Sequence, residues 1–184
     1  MSLRIISGIW KGRTLPPPHT NGTRPSTDMV RTMVFNYVTA CTTIDGAIVW
    51  DLFAGTGAYG FECLSRGAAA CTFVDSSAIQ CKKLCDFAAR VNAKGHDIVR
   101  GTVRDFIHSQ SNNTIKPTIV FADPPYADRV CNDLLNTLTL HVADSCVCVL
   151  EHGPYEFVLP HDGWTVLQHK EVGQVVFDIV QRSV

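Results

Sequence analysis

From residue 47 onward, short apolar runs alternate with segments in which apolar residues recur every three or four positions. The short runs predict five buried strands, at residues 47–53, 70–74, 97–99, 118–122 and 146–150. The periodic segments predict helices between them. One helix should end near Arg66. A second carries one stripe made of Cys81, Leu84, Cys85, Ala88 and Val91, and a third contains Leu134, Leu135, Leu138 and Leu140. Continuous apolar strands alternating with amphipathic helices are typical of a parallel sheet covered on both faces.

The two ends of the chain have a different pattern. Residues 3–7 and 11–15 predict two short extended segments that turn around Gly8 and Gly12, followed by a proline-rich loop at 16–22. A helix is expected to begin near Ser26 or Thr27, either of which can cap it. Residues 165–169 and 175–180 predict a closing hairpin. We therefore expect a short N-terminal extension, residues 1–24, on one domain, residues 25–184.

Composition supports one folded domain, since 46 % of the 184 residues are apolar and 18 % are charged. The sequence contains no apolar run of membrane-spanning length and no secretory signal pattern, so we expect a cytoplasmic protein without a membrane partner. None of the eight cysteines forms a Cys-x-x-Cys pair, so no metal is predicted. The pairs Cys81/Cys85 and Cys146/Cys148 are interpreted as small buried hydrophobes.

The net charge of −1 conceals a basic head and an acidic body. Residues 1–31 carry +4 and the remainder carries −5. The basic residues of the head are Arg4, Lys11, Arg13, Arg24 and Arg31. A basic segment on an acidic body indicates a polyanionic partner, and we predict that these five residues bind nucleic acid.

A glycine-rich loop follows the first predicted strand of the sheet. Gly55, Gly57 and Gly60 satisfy G-x-G-x-x-G at a strand-to-helix turn, where glycines let a ligand approach the backbone. Asp75 ends the second predicted strand, where its carboxylate can accept hydrogen bonds from ribose hydroxyls. This context predicts a cofactor that contains adenosine.

The charge of Asp51 distinguishes between two such cofactors. Asp51 lies four residues before Gly55, near the position of a dinucleotide's pyrophosphate. Two like charges about 4 Å apart repel by roughly 4 kcal/mol at an effective dielectric constant of about 20. S-adenosylmethionine instead carries a sulfonium and an ammonium, which a carboxylate attracts. The sequence therefore favours the methyl donor.

The segment Asp123, Pro124, Pro125, Tyr126 directly follows the fourth predicted strand. Two prolines make a rigid turn that has lost two N–H donors and is rich in acceptors. The Asp123 carboxylate and a neighbouring carbonyl can accept both hydrogens of an exocyclic amine, and Tyr126 can stack on the base. A paired base would have to be extruded to reach this loop. These four residues are the predicted catalytic loop.

The sequence resembles the bacterial 16S ribosomal RNA guanine-N2 methyltransferases, the small-subunit methyltransferase D type. The resemblance rests on RIISGIWKGRTLPPP, TRPSTDMVRTMVFNYV, DLFAGTGAYGFECLSRGA, FADPPY and KEVGQVVF. It implies a Rossmann-like seven-stranded S-adenosylmethionine-dependent fold with a C-terminal antiparallel hairpin and an N-terminal β-hairpin. It also implies that the enzyme methylates a guanine N2 amine of 16S rRNA on an assembled or partly assembled small subunit, and we expect a monomer.

The resemblance also implies donor-binding residues. Asp51, Ala54, Gly55 and Gly57 match the family's donor loop, with Phe53 inside it. The other implied donor contacts are Asp75 with its neighbour Ser76, at the ribose position, and Asp105 with Phe106, in the segment flanking the adenine. Arg24 and Arg31 could contact RNA phosphate or the donor's carboxylate. Lys170 and Gly173 match the closing motif without an assigned role.

Three other functions compete with this interpretation. The DPPY loop also permits N6-adenine methylation of DNA or RNA, and the glycine pattern alone permits an NAD-dependent oxidoreductase, which Asp51 disfavours. A non-catalytic RNA-binding protein is the third alternative, although it would not need the chemistry of residues 123–126. A single domain leaves no room for a separate sequence-reading module, so we expect recognition of a folded RNA or ribonucleoprotein by shape.

Overall fold

A computed structural model describes residues 3–18, 28–124, 130–153, 162–173 and 175–183. Within these ranges the chain forms five helices and seven strands. The sequence predicts all of the strands and four of the helices. The helices are α1 (Asp28–Cys41), α2 (Ala58–Ser65), α3 (Ala78–Arg90), α4 (Val103–Ser109) and α5 (Val130–Leu138). The strands are β1 (Ile48–Leu52), β2 (Ala70–Asp75), β3 (His96–Arg100), β4 (Ile119–Ala122), β5 (Val147–His152), β6 (Trp164–Val172) and β7 (Val175–Arg182).

The seven strands form one mixed sheet in the order β3-β2-β1-β4-β5-β7-β6. The first five strands pair in parallel, while β7 is antiparallel to both β5 and β6. The predicted closing hairpin is thus confirmed. The strand order reverses between β1 and β4, and ligands bind open α/β sheets at such a switch point, outside the carboxyl ends of the strands.

Each face of the sheet packs against its own set of helices. Helices α1, α2 and α3 cover the face that presents Val49, Phe73, Phe121 and Val149, which we call the first face. Helices α4 and α5 cover the opposite face, which presents Trp50, Val74, Val120 and Leu150. Both faces are apolar because every central strand is covered twice, and this explains the continuous apolar runs of the sequence.

The N-terminal segment packs on the first face as an irregular hairpin. Arg4 and Thr14 form its single bridge, with backbone hydrogen bonds from Ile5 N to Arg13 O (2.9 Å) and from Leu15 N to Leu3 O (2.9 Å). Ile5 and Leu15 are buried in the same core cluster as β1 and α2. The predicted extended segments are present, although they are too short to count as strands.

Three local predictions are wrong. The helix α4 was not predicted, because its seven residues are too few for helical periodicity to be visible. Leu140 lies beyond the end of α5 and is 77 % exposed, so it does not belong to that helix. Cys85 is exposed on α3, whereas Cys81, Cys146 and Cys148 are buried as expected.

The start of α1 lies next to residues outside the described ranges. Ser26 and Thr27, the predicted caps, belong to that part of the chain, and α1 is described from Asp28. Among the described helices, none is long and apolar enough to span a bilayer.

Candidate active site

The glycine-rich loop joins β1 to α2 at the switch point. Its backbone turns left-handed at Phe53 (φ 59°), Gly55 (φ 51°) and Gly57 (φ 70°). A left-handed conformation is uncommon at a residue that carries a side chain, such as Phe53. Residues in this conformation often occur at functional sites. The amide of Ala54 donates to Val74 O of β2 (2.9 Å), and the amide of Gly57 donates to Ala54 O (2.7 Å). The loop is therefore fixed to the end of the neighbouring strand.

The three glycines of the motif have different surroundings. A Cβ atom at Gly60 would lie 2.4 Å from Phe73 Cε1 and 2.6 Å from Cys71 Sγ, both on β2. A Cβ atom at Gly57 would lie 2.7 Å from Leu84 Cδ2 of α3. At Gly55 the nearest atom is Phe53 O, at 3.8 Å. Gly57 and Gly60 thus allow close packing of protein on protein, whereas Gly55 leaves open space beside the loop.

Asp51 lies beneath the loop and is almost completely buried, at 3 % exposure. Its Oδ2 accepts a hydrogen bond from the amide of Gly60 in the first turn of α2 (2.8 Å). Burial raises the pKa of Asp51 to about 8, against the lowering effect of that hydrogen bond and with a further increase from Asp75. An ionised Asp51 needs positive charge nearby, so this position favours a cationic ligand.

Asp75 ends β2 and ties the glycine loop to the strand. Its Oδ2 accepts from Gly55 N and its Oδ1 accepts from Ser77 N, both at 2.8 Å. Each carboxylate oxygen keeps a further lone pair, so the group can accept hydroxyl hydrogens in addition. Ser76, the other predicted contact here, is exposed.

Asp123 and Pro124 follow directly on β4, the strand beside β1 at the switch point. Pro124 is buried and Asp123 is solvent-exposed. Desolvation by the many surrounding protein atoms raises the pKa of Asp123 well above its ordinary value, and the charges of Glu151 and Asp51 raise it further. Glu151 and Asp51 remain close to Asp123 even where solvent reaches it. Their charges therefore contribute to the raised pKa of Asp123 separately from desolvation. Pro125 and Tyr126 lie outside the described residues.

Asp105 and Phe106 lie in α4, and Phe106 is not placed as expected. The Phe106 ring is 6 % exposed and packs edge-on against Trp50, with 4.9 Å between ring centroids. Its assignment to donor binding is therefore corrected, because the ring belongs to the core. Asp105 is exposed in the first turn of α4, where its amide donates to Oγ1 of the cap residue Thr102 (3.1 Å) and its Oδ2 accepts that hydroxyl's hydrogen (2.7 Å).

A cavity of about 570 Å³ lies between α4 and α5 and reaches the glycine loop at Phe53. On the α4 side it is bordered by Thr102, Val103, Arg104, Ile107 and His108, and not by Asp105 and Phe106. The predicted adenine segment therefore meets this cavity through the residues that flank Asp105 and Phe106.

The basic residues of the head divide into two groups. Arg4, Lys11 and Arg13 are exposed on the hairpin, in positions where they can meet a polyanion. Arg31 is completely buried, with its guanidinium donating to Asp28 Oδ1 (2.6 Å), to Arg4 O and to Ala58 O (3.5 Å). The prediction of a surface contact to RNA is wrong for Arg31. Arg24 lies outside the described residues.

Comparison with known proteins identifies the family. The family model described as "Conserved hypothetical protein 95" matches residues 3–181. The ribosomal RNA small subunit methyltransferase D of Escherichia coli K12 is 33 % identical over 185 residues, covering 98 % of this chain and 90 % of that protein. The chain belongs to this family.

Solved structures agree with this membership. The E. coli protein titled "Putative methyltransferase yhhF" superposes with a TM-score of 0.86 at 32 % identity and covers 100 % of this chain and 99 % of its own. A more distant structure, titled "a putative methyltransferase complexed with SAH", has a TM-score of 0.68 at 14 % identity, over 82 % of this chain and 49 % of its own. The latter shows the fold alone. The Rossmann-like fold of S-adenosylmethionine-dependent methyltransferases, expected from the sequence, is confirmed.

Two buried groups of this family member were missed by the sequence interpretation. Glu151, 2 % exposed on β5, accepts a hydrogen bond at Oε2 from the hydroxyl of Tyr59 (2.8 Å). Glu62 of α2 is fully buried and accepts from the amides of Ile6 (2.7 Å) and Ser7 (2.9 Å). Glu62 interrupts an otherwise apolar helical segment, and Glu151 directly follows the apolar run at 146–150. An acidic residue at such a position is the signal that could have found them.

The buried acidic residues were also considered as metal ligands. Over the part of the chain that the structure describes, no cluster of three or more histidine, cysteine or acidic residues is arranged to hold a metal ion.

Proposed function

We propose that this protein transfers a methyl group from S-adenosylmethionine to the N2 amine of a guanine in 16S rRNA, on an assembled or partly assembled small subunit. The observation that carries the proposal is the position of Asp123 and Pro124 at the switch point, one strand away from the glycine loop. The name of the E. coli relative, ribosomal RNA small subunit methyltransferase D, supports the reaction and the RNA. Such a substrate implies a cytoplasmic enzyme.

The residues at the loop fit this donor. Gly55 leaves free space where a side chain would otherwise stand, Asp75 offers lone pairs to ribose hydroxyls, and Asp51 supplies negative charge beneath the loop. The cavity beside Phe53 and Thr102 continues that space along α4. When bound, S-adenosylmethionine supplies a methyl carbon activated by its positively charged sulfur.

The acceptor side is served by Asp123. A guanine N2 amine carries two hydrogens, and its lone pair is delocalised into the ring. A carboxylate that accepts one of these hydrogens holds the amine in place and increases the electron density on nitrogen. The same carboxylate can take the proton that the nitrogen must lose once it has been methylated. Asp123 suits both tasks because desolvation, together with the charges of Glu151 and Asp51, raises its pKa well above the ordinary value.

The exposed hairpin residues Arg4, Lys11 and Arg13 are proposed to contact RNA phosphates. Such contacts position an enzyme without reading sequence. The guanine would then be selected by the shape of the surrounding ribonucleoprotein and by the loop at residues 123–126.

The decisive experiment is transfer of labelled methyl groups to small subunits that lack the modification. Nucleosides from the product are separated and identified by mass, and the methylated position is mapped. N2-methylguanosine in 16S rRNA supports the proposal. N6-methyladenosine would establish the alternative methyltransferase, and tight binding of a nicotinamide dinucleotide without any transfer would point to an oxidoreductase.

Alanine substitutions at two glycines should separate donor binding from stability. Gly60→Ala places a methyl group against Phe73 and should lower the free energy of unfolding by about 3 kcal/mol, with donor binding retained by the folded fraction. Gly55→Ala should cost only about 1 kcal/mol of backbone strain but weaken donor binding at least tenfold. Denaturant unfolding and titration calorimetry measure both quantities. Normal donor binding by the folded Gly55→Ala variant would remove Gly55 from the donor site.

Reversing the charges of the hairpin should weaken RNA binding. The double variant Lys11→Glu, Arg13→Glu is expected to reduce the slope of log affinity against log salt by about two, since each lost phosphate contact removes about one unit. Lys116→Glu provides the control, because the Lys116 ammonium donates to Leu140 O (3.1 Å) just beyond α5, the helix that packs on the face opposite the hairpin. Filter binding to 16S rRNA at several salt concentrations gives the slope. An unchanged slope in the double variant would exclude the hairpin from the interface.

A further inference from the structure

We propose that Glu151, held by Tyr59, is a positioning residue for methyl transfer that acts through Asp123. The inference rests on the proposed function and assigns a role to two residues not yet given one in donor or acceptor binding: Glu151 of β5, and Tyr59 in the first turn of α2, between Gly57 and Gly60. It starts from three acidic residues on adjacent strands.

The sheet register places these three acids together on one face. Asp51 of β1 is opposite Phe121 of β4, and Ala122 of β4 is opposite Leu150 of β5. Asp123 therefore lies beside Glu151 at the carboxyl ends of their strands. Side chains alternate along a strand, and Val49, Phe121 and Val149 belong to the first face. Asp51, Asp123 and Glu151 each follow one of these residues by two positions and share that face.

Tyr59 fixes the position of Glu151. Its ring is stacked almost parallel on Phe121, with 4.8 Å between centroids and an angle of 8° between planes. From there its hydroxyl reaches Glu151 Oε2 at 2.8 Å. Both residues are buried, Tyr59 at 8 % and Glu151 at 2 % exposure. This hydrogen bond holds the Glu151 carboxyl group on β5, next to Asp123, where the charge of Glu151 raises the pKa of Asp123 in addition to the larger effect of desolvation.

Among the residues that the structure describes, the other elements packed against this part of the first face present few charges. Strand β7 places Phe177 opposite Glu151, and Tyr37 of α1 packs its ring against Phe177. Arg31 of α1 donates to Ala58 O, the residue before Tyr59. The Arg66 guanidinium lies 4.5 Å above the Phe35 ring. The hydrogen-bonded pair His152 and Asp178 lies on the opposite face. Asp178 of β7 is the strand partner of Leu150, and Leu150 belongs to that face.

The charge of Glu151 has a consequence for the acceptor amine. A carboxylate beside another ionised carboxylate binds a proton more tightly than an isolated one. Asp123 is therefore a stronger acceptor for the amine hydrogen, and for the proton released when nitrogen has gained the methyl carbon and the carbon–sulfur bond has left its electron pair on sulfur. Glu151 touches neither reactant in this scheme.

The test compares Glu151→Gln and Tyr59→Phe with the unchanged protein. The first variant removes the charge at nearly constant volume, and the second removes only the hydroxyl while the ring can remain on Phe121. The carboxyl carbon of Asp123 is followed by NMR titration of the free protein. We expect its titration to move to lower pH by at least about one unit in Glu151→Gln and by less in Tyr59→Phe.

Methyl transfer to small subunits should show the same order. In a plot of kcat against pH, the rise on the acidic side should move to lower pH in both variants. The limiting kcat at high pH should be reduced, and the KM for the donor should be unchanged. Asp178→Asn, which alters a buried acid on the opposite face, should leave the Asp123 titration in place.

The two readouts separate the inference from the proposed function. An Asp123 titration that stays unchanged in folded Glu151→Gln and Tyr59→Phe would overturn the role of Glu151, whatever the enzyme methylates. The opposite result is also informative. If the variants shift the Asp123 titration but the unchanged protein transfers no methyl group, the coupling of Asp123 and Glu151 is upheld and the proposed function is refuted.

Discussion

Replacing Asp123 with alanine is expected to lower the rate of methyl transfer by about 10³-fold or more, because the amine loses the acceptor that holds it and receives its proton. Donor affinity should change by less than about threefold, since Gly55, Asp51 and Asp75 lie on other strands and loops. Labelled-methyl transfer to small subunits gives the rate, and titration calorimetry gives the affinity.

Asp86→Ala is a matched control for this substitution. Asp86 is an exposed acid on α3 that pairs with Lys82 at 2.9 Å, and its loss should leave transfer unchanged. A normal rate in Asp123→Ala would take the acceptor role away from this residue. A large loss of donor affinity would instead move Asp123 to the donor side of the site.

Donor affinity is expected to increase with pH below 8 because of Asp51. In the free protein burial raises the pKa of Asp51 to about 8, so the carboxyl is mostly protonated at lower pH. A cationic donor favours the ionised form, so binding requires release of this proton and becomes tighter as pH rises. Between pH 6 and 7, below the ordinary pKa of the donor's α-ammonium group, affinity should increase by up to about tenfold.

Asp51→Asn isolates this effect. The amide can still accept the hydrogen bond from Gly60 but carries no charge, so the variant should bind the donor weakly and with most of the slope removed. Calorimetry in buffers of different ionisation enthalpy should show a released proton for the unchanged protein and less release for the variant. An equal slope in both proteins would show that another group titrates.

The order of strands and helices could be predicted because the central strands are covered on both faces. Five apolar runs therefore stand out between polar segments, and their boundaries agree with the structure to within one or two residues. Helix α4 could not be found this way. It is a seven-residue helix defined by its cap, Thr102, and by Phe106 packing against Trp50, a contact that the sequence does not contain.

The candidate site was predictable where backbone geometry dictates the residue type. Gly55 and Gly57 are needed by the left-handed turn between strand and helix, and Gly60 by the close approach of α2 to β2. Asp75 ends its strand and Asp123 directly follows one. Arg31 shows the limit of reading charge alone. Its position in the basic head suggested a surface contact, but helical spacing places it on the same side of α1 as the core residues Val34 and Phe35.

The anchoring of the hairpin on α2 has a consequence for which RNA can be modified. Glu62 holds the amides of Ile6 and Ser7, and the same helix begins directly after Gly57. The eight residues of α2 span about 12 Å, so one short, rigid helix holds the N-terminal hairpin and the glycine-rich loop at a fixed separation. With the hairpin bound to RNA phosphates as proposed, methyl transfer would require an acceptor amine at a fixed distance from those phosphates.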